Sequence, residues 1–120
     1  MWNIPYNGLS VVLDANTAEL VAAPDTRQLV EQIMSEVVAD ARACGANVGD
    51  EIVPKMLQDT EQMTPYRTSM KIDYDERRPM EVEAIFGNPL RAAQQTGAVS
   101  PLIGMLYRQL KFLDARNRAG

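Results

Sequence analysis

The stretch PDTRQLVEQIMSEVVADARACG, residues 24–45, decides the fold. Leu29, Ile33 and Val37 fall at every fourth position, and Val30, Met34 and Val38 repeat that line one residue on. Residues four apart stack on one face of an α-helix, so these six side chains form a broad apolar face. A face that wide needs neighbours on more than one side, which predicts a central helix. Pro24-Asp25-Thr26 is a start signal with Asp25 or Thr26 as N-cap, and Gly45 is placed to end the helix.

The same period extends outward in both directions. Upstream, Trp2, Tyr6, Leu9 and Leu13 recur at i, i+4, i+7 and i+11, beside a polar stripe of Asn3, Asn7, Ser10 and Asp14. Pro5 requires that helix to start nearby or to kink there. Residues 17–23 suit a short helical turn. Downstream, a helix is predicted over about residues 50–63, with Pro54 in its first turn and Thr64-Pro65 ending it. Thr68 or Ser69 caps a short helix through Tyr74, and residues 75–79 form a turn. Pro79 is placed just inside the next helix, where Glu81 and Glu83 complement the positive end of the dipole. Val82, Ile85, Phe86, Leu90 and Ala93 supply its buried face, Pro89 should kink it, and Gly97 should end it. Ser100-Pro101 opens a last helix with Leu102, Leu106, Leu110 and Leu113 in line, and a polar tail from Asp114 onward should fray. No strand-like alternation persists, so the expectation is a single all-α domain of six or seven helices.

Composition removes several function classes. At 120 residues the chain holds one core-bearing domain, and its 46% apolar content is that of an ordinary globular protein. The net charge is −4 and the basic residues are scattered, which speaks against nucleic acid as a partner. No apolar run approaches the ~20 residues that span a bilayer, so no membrane partner is expected. The single cysteine, Cys44, suits a reducing, cytoplasmic setting and reads as a small buried residue near a helix end. There is no histidine. That excludes Ser-His-Asp and Cys-His chemistry and speaks against a zinc site, so no metal is expected. Proton transfer would fall to Lys, Tyr or a carboxyl group. The methionines at 34, 56, 70, 80 and 105 read as core filling.

Three constellations remain. Asn3 and Asn7 share a helix face and would suit a ligand bearing hydroxyl and carboxylate oxygens, although spacing alone favours a solvated stripe. Ser69 near a helix start could offer its hydroxyl and backbone N–H groups to a carboxylate, against the plainer reading of an N-cap. Asp73 could orient a lysine, or be a surface acid. Glu81 opens an apolar helix, where dipole compensation accounts for it by itself.

Taken together, Asn3 and Asn7 in WNIPYNGLSVVL, then Ser69-Met70, Asp73, Arg77-Arg78 and Glu81-Val82-Glu83-Ala84-Ile85, resemble the C-terminal helical domain of the ketopantoate reductase family. The closing MLYRQLKFLDAR also looks like that family's last helix. The resemblance covers nearly the whole chain. It implies a helical domain like those of 6-phosphogluconate dehydrogenase-type reductases, used for substrate binding and dimerisation. It also implies NADP as cofactor, held by an N-terminal Rossmann domain, and reduction of a small 2-keto acid in pantothenate biosynthesis. By that likeness Asn3, Asn7 and Ser69 bind substrate, Asp73 supports them, and Glu81 serves the catalytic lysine and the nicotinamide side of the cleft.

The sequence departs from the family pattern in places that bear on which keto acid is bound. The family lysine would stand four residues before Asn3, ahead of Met1, and no glycine-rich phosphate loop occurs in these residues. Tyr66 and Phe86 stand where relatives often have asparagine, and Gly8-Leu9-Ser10 replaces Pro-Leu-Thr. The chain alone is therefore expected to be inactive. A second expectation, from a different class, is a freestanding helical interaction module that does no chemistry.

Overall fold

The computed structural model describes residues 3–62 and 67–119. Among the described residues seven α-helices succeed one another: α1 (Ile4–Val12), α2 (Thr17–Ala22), α3 (Pro24–Ala43), α4 (Ile52–Gln62), α5 (Ser69–Asp75), α6 (Asn88–Gln95) and α7 (Pro101–Ala119). A π-helical turn, Glu83–Gly87, leads directly into α6. Among the described residues there is no strand, so the all-α reading stands. The molecule measures 41 × 34 × 20 Å along its principal axes.

Helix α3 is central, as its wide apolar face requires. It packs against α1, α2, α4, α6 and α7, and Val30, Ile33, Met34, Val37 and Val38 are all buried. Leu29 is only partly buried, at the edge of the core. The helix begins at Pro24 rather than at a capping Asp25 or Thr26. Proline suits the first helical position because its missing N–H would have had no partner there. Thr26 instead reaches back and donates its hydroxyl to the Leu20 carbonyl at 2.7 Å, fastening α3 to α2.

Four of the helices end in the same way. At the close of α3 the N–H of Ala46 reaches the Ala41 carbonyl and that of Gly45 the Arg42 carbonyl, with Gly45 at φ +98°. This pair of bonds satisfies carbonyls the helix leaves open, and it needs a left-handed residue. Gly97 fills that place after α6, Asp14 after α1 and Arg77 after α5. The two non-glycine cases carry a steric cost, and each side chain sits where a capping glycine would offer none.

Helix α7 receives its N-terminal cap from α3. Glu36 accepts from the backbone N–H groups of Leu102 and Ile103 at 3.0 Å, and the Ser100 hydroxyl donates to Asp40. The tail expected to fray from Asp114 remains helical to Ala119. Two cross-links hold it: Met80 N–H donates to Asp114 Oδ1 at 3.0 Å, and Asn117 donates to the Tyr74 carbonyl at 2.9 Å. The segment before Val82 is not helical. Pro79 lies ahead of its helix and not just inside it, where the sequence pattern places it.

Pro89, expected to kink its helix, stands just after a π-helical turn. It has no N–H to give and its ring crowds the carbonyl four residues back, so the preceding turn widens. Asn88 N–H then bonds to Glu83, five residues back.

Several single-residue expectations change. Asn7 and Ser10, placed on a solvated stripe, are buried, while Leu13 from the apolar face is 44% exposed. Helix α1 is enclosed nearly all round, because α2, α3, α5 and α7 all contact it. A Cβ on Gly8 would stand 2.9 Å from Leu106 and 3.0 Å from Phe86, so glycine is what lets α1 approach so closely. Cys44 is exposed rather than buried, since it sits in the last turn of α3 where the chain leaves the core. Met105 is half exposed on the outer side of α7 and fills no core space, unlike Met34, Met70 and Met80. Trp2 and the helix end predicted at Thr64-Pro65 lie outside the described residues.

Candidate functional site

The start of α1 and the start of α5 meet at a hollow of about 220 Å³ lined by Asn3, Tyr6, Asn7, Thr68 and Ser69. Helical geometry brings the first three together, since i, i+3 and i+4 share a face. Asn3 stands at the N-cap of α1 without making a side-chain cap bond. Thr68 is the N-cap of α5, and its Oγ1 accepts the Lys71 N–H at 3.1 Å. That leaves Ser69, one residue on, at the exposed rim.

Asn7 is the unusual member. It is only 5% exposed, yet its carboxamide hydrogen-bonds no other described residue. A buried amide normally has partners, because losing water without replacement costs about 1–3 kcal/mol. Asn7 is not sealed off, however, and its carboxamide meets the hollow. Asn3 and Ser69 on the rim are likewise without side-chain bonds among the described residues. Two carboxamides and a hydroxyl, all uncommitted, can together donate to and accept from a small oxygen-rich molecule.

Behind the hollow the polar groups are fully engaged. Ser10 and Thr68 hydroxyls lie 2.8 Å apart, and Ser10 reaches the Asn7 carbonyl at 3.1 Å. Lys71, which is buried, pairs with Asp14 at 2.6 Å and with Asp75. Burial by itself would push the Lys71 pKa down. The hydrogen bonds and charges of Asp14 and Asp75 outweigh it, and hold the ammonium above its ordinary 10.5. In turn the Lys71 hydrogen bond, against an opposing effect of burial and with help from Arg67, holds Asp75 below its ordinary 3.8. Lys71 thus ties α5 to the end of α1 and does not line the hollow.

The other predicted residues lie apart from this group. Asp73 accepts from Arg78 Nε at 3.0 Å, at the far end of α5. Glu81 is exposed and lines a different hollow, of about 460 Å³, with Glu83, Lys111, Asp114 and Arg118. Tyr66 lies outside the described residues. Sequence reasoning missed Tyr6 as a wall of the first hollow, because its spacing assigned it to the core, where its ring also belongs. It also missed the links from Ser10 to Thr68 and from Asp14 to Lys71. The pair Lys71–Asp75 was legible as an i,i+4 spacing, whereas Asp14 lies too far along the chain for any local signal.

A family model described as the C-terminal part of ketopantoate reductase PanE/ApbA matches residues 1–114. The chain belongs to the ketopantoate reductase family. A 2-dehydropantoate 2-reductase from Nostoc sp. is 62% identical over 120 residues, which is 100% of this chain and 38% of that protein. The crystal structure of 2-dehydropantoate 2-reductase from Methylococcus capsulatus superposes with a TM-score of 0.89 at 35% identity, over 97% of this chain and 37% of that one. That from Geobacter metallireducens gives 0.88 at 40% identity, over 92% and 37%. The chain therefore spans little more than a third of the length of these relatives. What it represents of a ketopantoate reductase is the helical C-terminal domain, and the elements that bring Asn3, Asn7 and Ser69 together belong to that domain.

Proposed function

We propose that this domain forms the substrate wall of an NADPH-dependent reductase acting on 2-dehydropantoate or a close 2-keto acid. One observation carries the reading: Asn7 is buried without a partner among the described residues and opens on the same hollow as Asn3 and Ser69. A 2-keto acid has a carbonyl oxygen and a carboxylate, all acceptors. Carboxamide N–H groups from Asn3 and Asn7 and the Ser69 hydroxyl are donors of the right kind for them. Their fixed spacing on two helix starts would orient the ketone before reaction, which is how such a wall assists catalysis. As the ketone becomes an alcohol its oxygen gains a proton and can both donate and accept. A carboxamide can match either state, so Asn3 and Asn7 would hold substrate and product alike.

Glu81 would keep a lysine supplied from outside these residues in its charged, proton-giving form, because a nearby carboxylate favours the ammonium, while Asp73, held by Arg78, would support α5 behind Ser69. The described residues contain no strand and glycine turn suited to a dinucleotide's phosphates. They do not fit the cofactor by themselves, so NADPH would be held elsewhere in the reductase, and the 120 residues alone would not turn over.

The test is a titration of the isotope-labelled chain with 2-dehydropantoate, monitored by NMR. The side-chain amides of Asn3 and Asn7 and the Ser69 amide should shift together, and Asn7→Ala should remove the response. A chain whose amide signals stay put, or shift only around Glu81, would refute this assignment of the wall.

A further inference from the structure

The hydroxyl pair behind the hollow has a direction. Thr68 Oγ1 accepts from the Lys71 N–H. Ser10 Oγ lies 3.1 Å from the Asn7 carbonyl, an acceptor only, so the single Ser10 hydroxyl proton belongs there. The 2.8 Å contact between the two hydroxyls must then use the proton of Thr68, with Ser10 accepting. All protons are thereby assigned in one order: Lys71 N–H to Thr68, Thr68 to Ser10, Ser10 to the Asn7 carbonyl. Both hydroxyls are buried, with Ser10 fully and Thr68 almost fully removed from solvent. In such surroundings a satisfied chain is stiff and a broken one is costly.

We propose that Ser10 and Thr68 are positioning residues for the keto-acid wall. The relay joins the backbone of Asn7 on α1 to the cap of α5, whose next residue is Ser69. It therefore sets the distance between the two halves of the wall. It also commits the Thr68 hydroxyl inward, so that of the two adjacent hydroxyls only that of Ser69 is available to substrate. A second tie, Lys71 to Asp14, joins the same two elements through residues that do not line the hollow. The inference rests on the proposed role of Asn7 and Ser69.

The experiment compares the chain with Thr68→Val, Thr68→Ser, Ser10→Ala and the Ser10→Ala/Thr68→Val double variant. Affinity for 2-dehydropantoate and melting temperature are read for each. Thr68→Val keeps shape but has no hydroxyl, and should weaken binding about tenfold. Thr68→Ser should bind within about twofold of the native chain, because it restores the relay. Ser10→Ala tests the same chain from its other end, should Thr68→Val fail to fold. The double variant should bind no worse than the weaker single one, since a relay is broken only once. Native-like affinity in Thr68→Val and Ser10→Ala, whatever their melting temperatures, would overturn the positioning role while leaving the wall intact. Absence of any binding by the native chain would instead remove the wall, and the relay's purpose with it.

Discussion

Two polar clusters in this domain differ in where their hydrogen bonds go. On the face formed by the π turn, α6 and α7, Glu83, Arg91 and Tyr107 are bonded to one another at the surface. The Tyr107 hydroxyl donates to Glu83 at 2.6 Å and Arg91 donates to Glu83 at 3.1 Å. The Tyr107 hydroxyl does most to hold the Glu83 carboxyl below its ordinary value; burial opposes it, and Arg91 adds to the lowering. Between α1 and α5 the arrangement is reversed. Asn7 is buried and unpartnered among the described residues, with Asn3 and Ser69 uncommitted at the rim. Charge and density of contacts would single out the first cluster. Unused bonding capacity singles out the second. A polar group that water reaches freely loses little by having no ligand, whereas one withdrawn from water has been placed there at a cost.

Helix α1, whose two sides face different things, offers the most severe challenge to this contrast. Gly8→Ala puts a methyl group against Leu106 and Phe86 and should destabilise the chain by about 1–3 kcal/mol in urea unfolding. A negligible change would mean that α1 is not held tightly, and that its Asn7 side is not fixed either. On the other side, Asn7→Leu should stabilise by about 1 kcal/mol, because it removes a buried polar group without a partner. It should also abolish 2-dehydropantoate binding. Loss of stability in Asn7→Leu would show that the carboxamide is satisfied within the fold.

The pH dependence of stability separates the tie behind the hollow from the surface cluster. Asp75 has a lowered folded pKa, so its contribution is complete above the ordinary 3.8 and is lost as acid carries the pH down through the lowered value. Lys71 has a raised one, so its contribution is complete below 10.5 and is lost as alkali passes the raised value. Lys71→Met should therefore flatten both the acid and the alkaline limbs of a melting-temperature profile. Retention of both limbs would move their origin to other groups. The smallest effect belongs to Glu83→Gln, which should change neither the melting temperature nor ligand affinity, since exposed ion pairs contribute little. A loss of affinity there would transfer the site to the π-turn face.

How much of this was legible in the sequence depends on the kind of signal. Helix α3 was readable because six apolar residues repeat at one period, and burial of such a face results from the hydrophobic effect alone. Gly45 and Gly97 were readable because a left-handed residue is needed after a helix and glycine supplies it. Asp14 and Arg77 do the same work without that mark. Asn7 and Ser10 were placed on the right face of α1 but in the wrong medium. A periodic pattern tells which residues lie together, and the presence of α5 over that face decides whether water does too. Cys44 and Met105 were misplaced by residue-type averages. The frayed tail was misplaced because Asp114 and Asn117 look solvated until Met80 and Tyr74 arrive beside them. Of the site, Asn3, Asn7 and Ser69 were named from the family resemblance and meet in one hollow. Their supporting bonds were invisible because they join residues 58 positions apart.

The π turn ahead of Pro89 has a consequence for register. A helix of ordinary winding advances about 100° per residue, so a turn closed five residues back holds one residue more than its neighbours. Everything before it, Glu81 and Val82 included, is therefore rotated by about that angle relative to Arg91 and the remainder of α6. Deleting one residue between Glu83 and Gly87 would shorten the chain by a single link and yet turn the opening of this helix to a different compass bearing. In that sense the extra residue works as a phase shift, setting the bearing at which the chain enters this helix after Glu81.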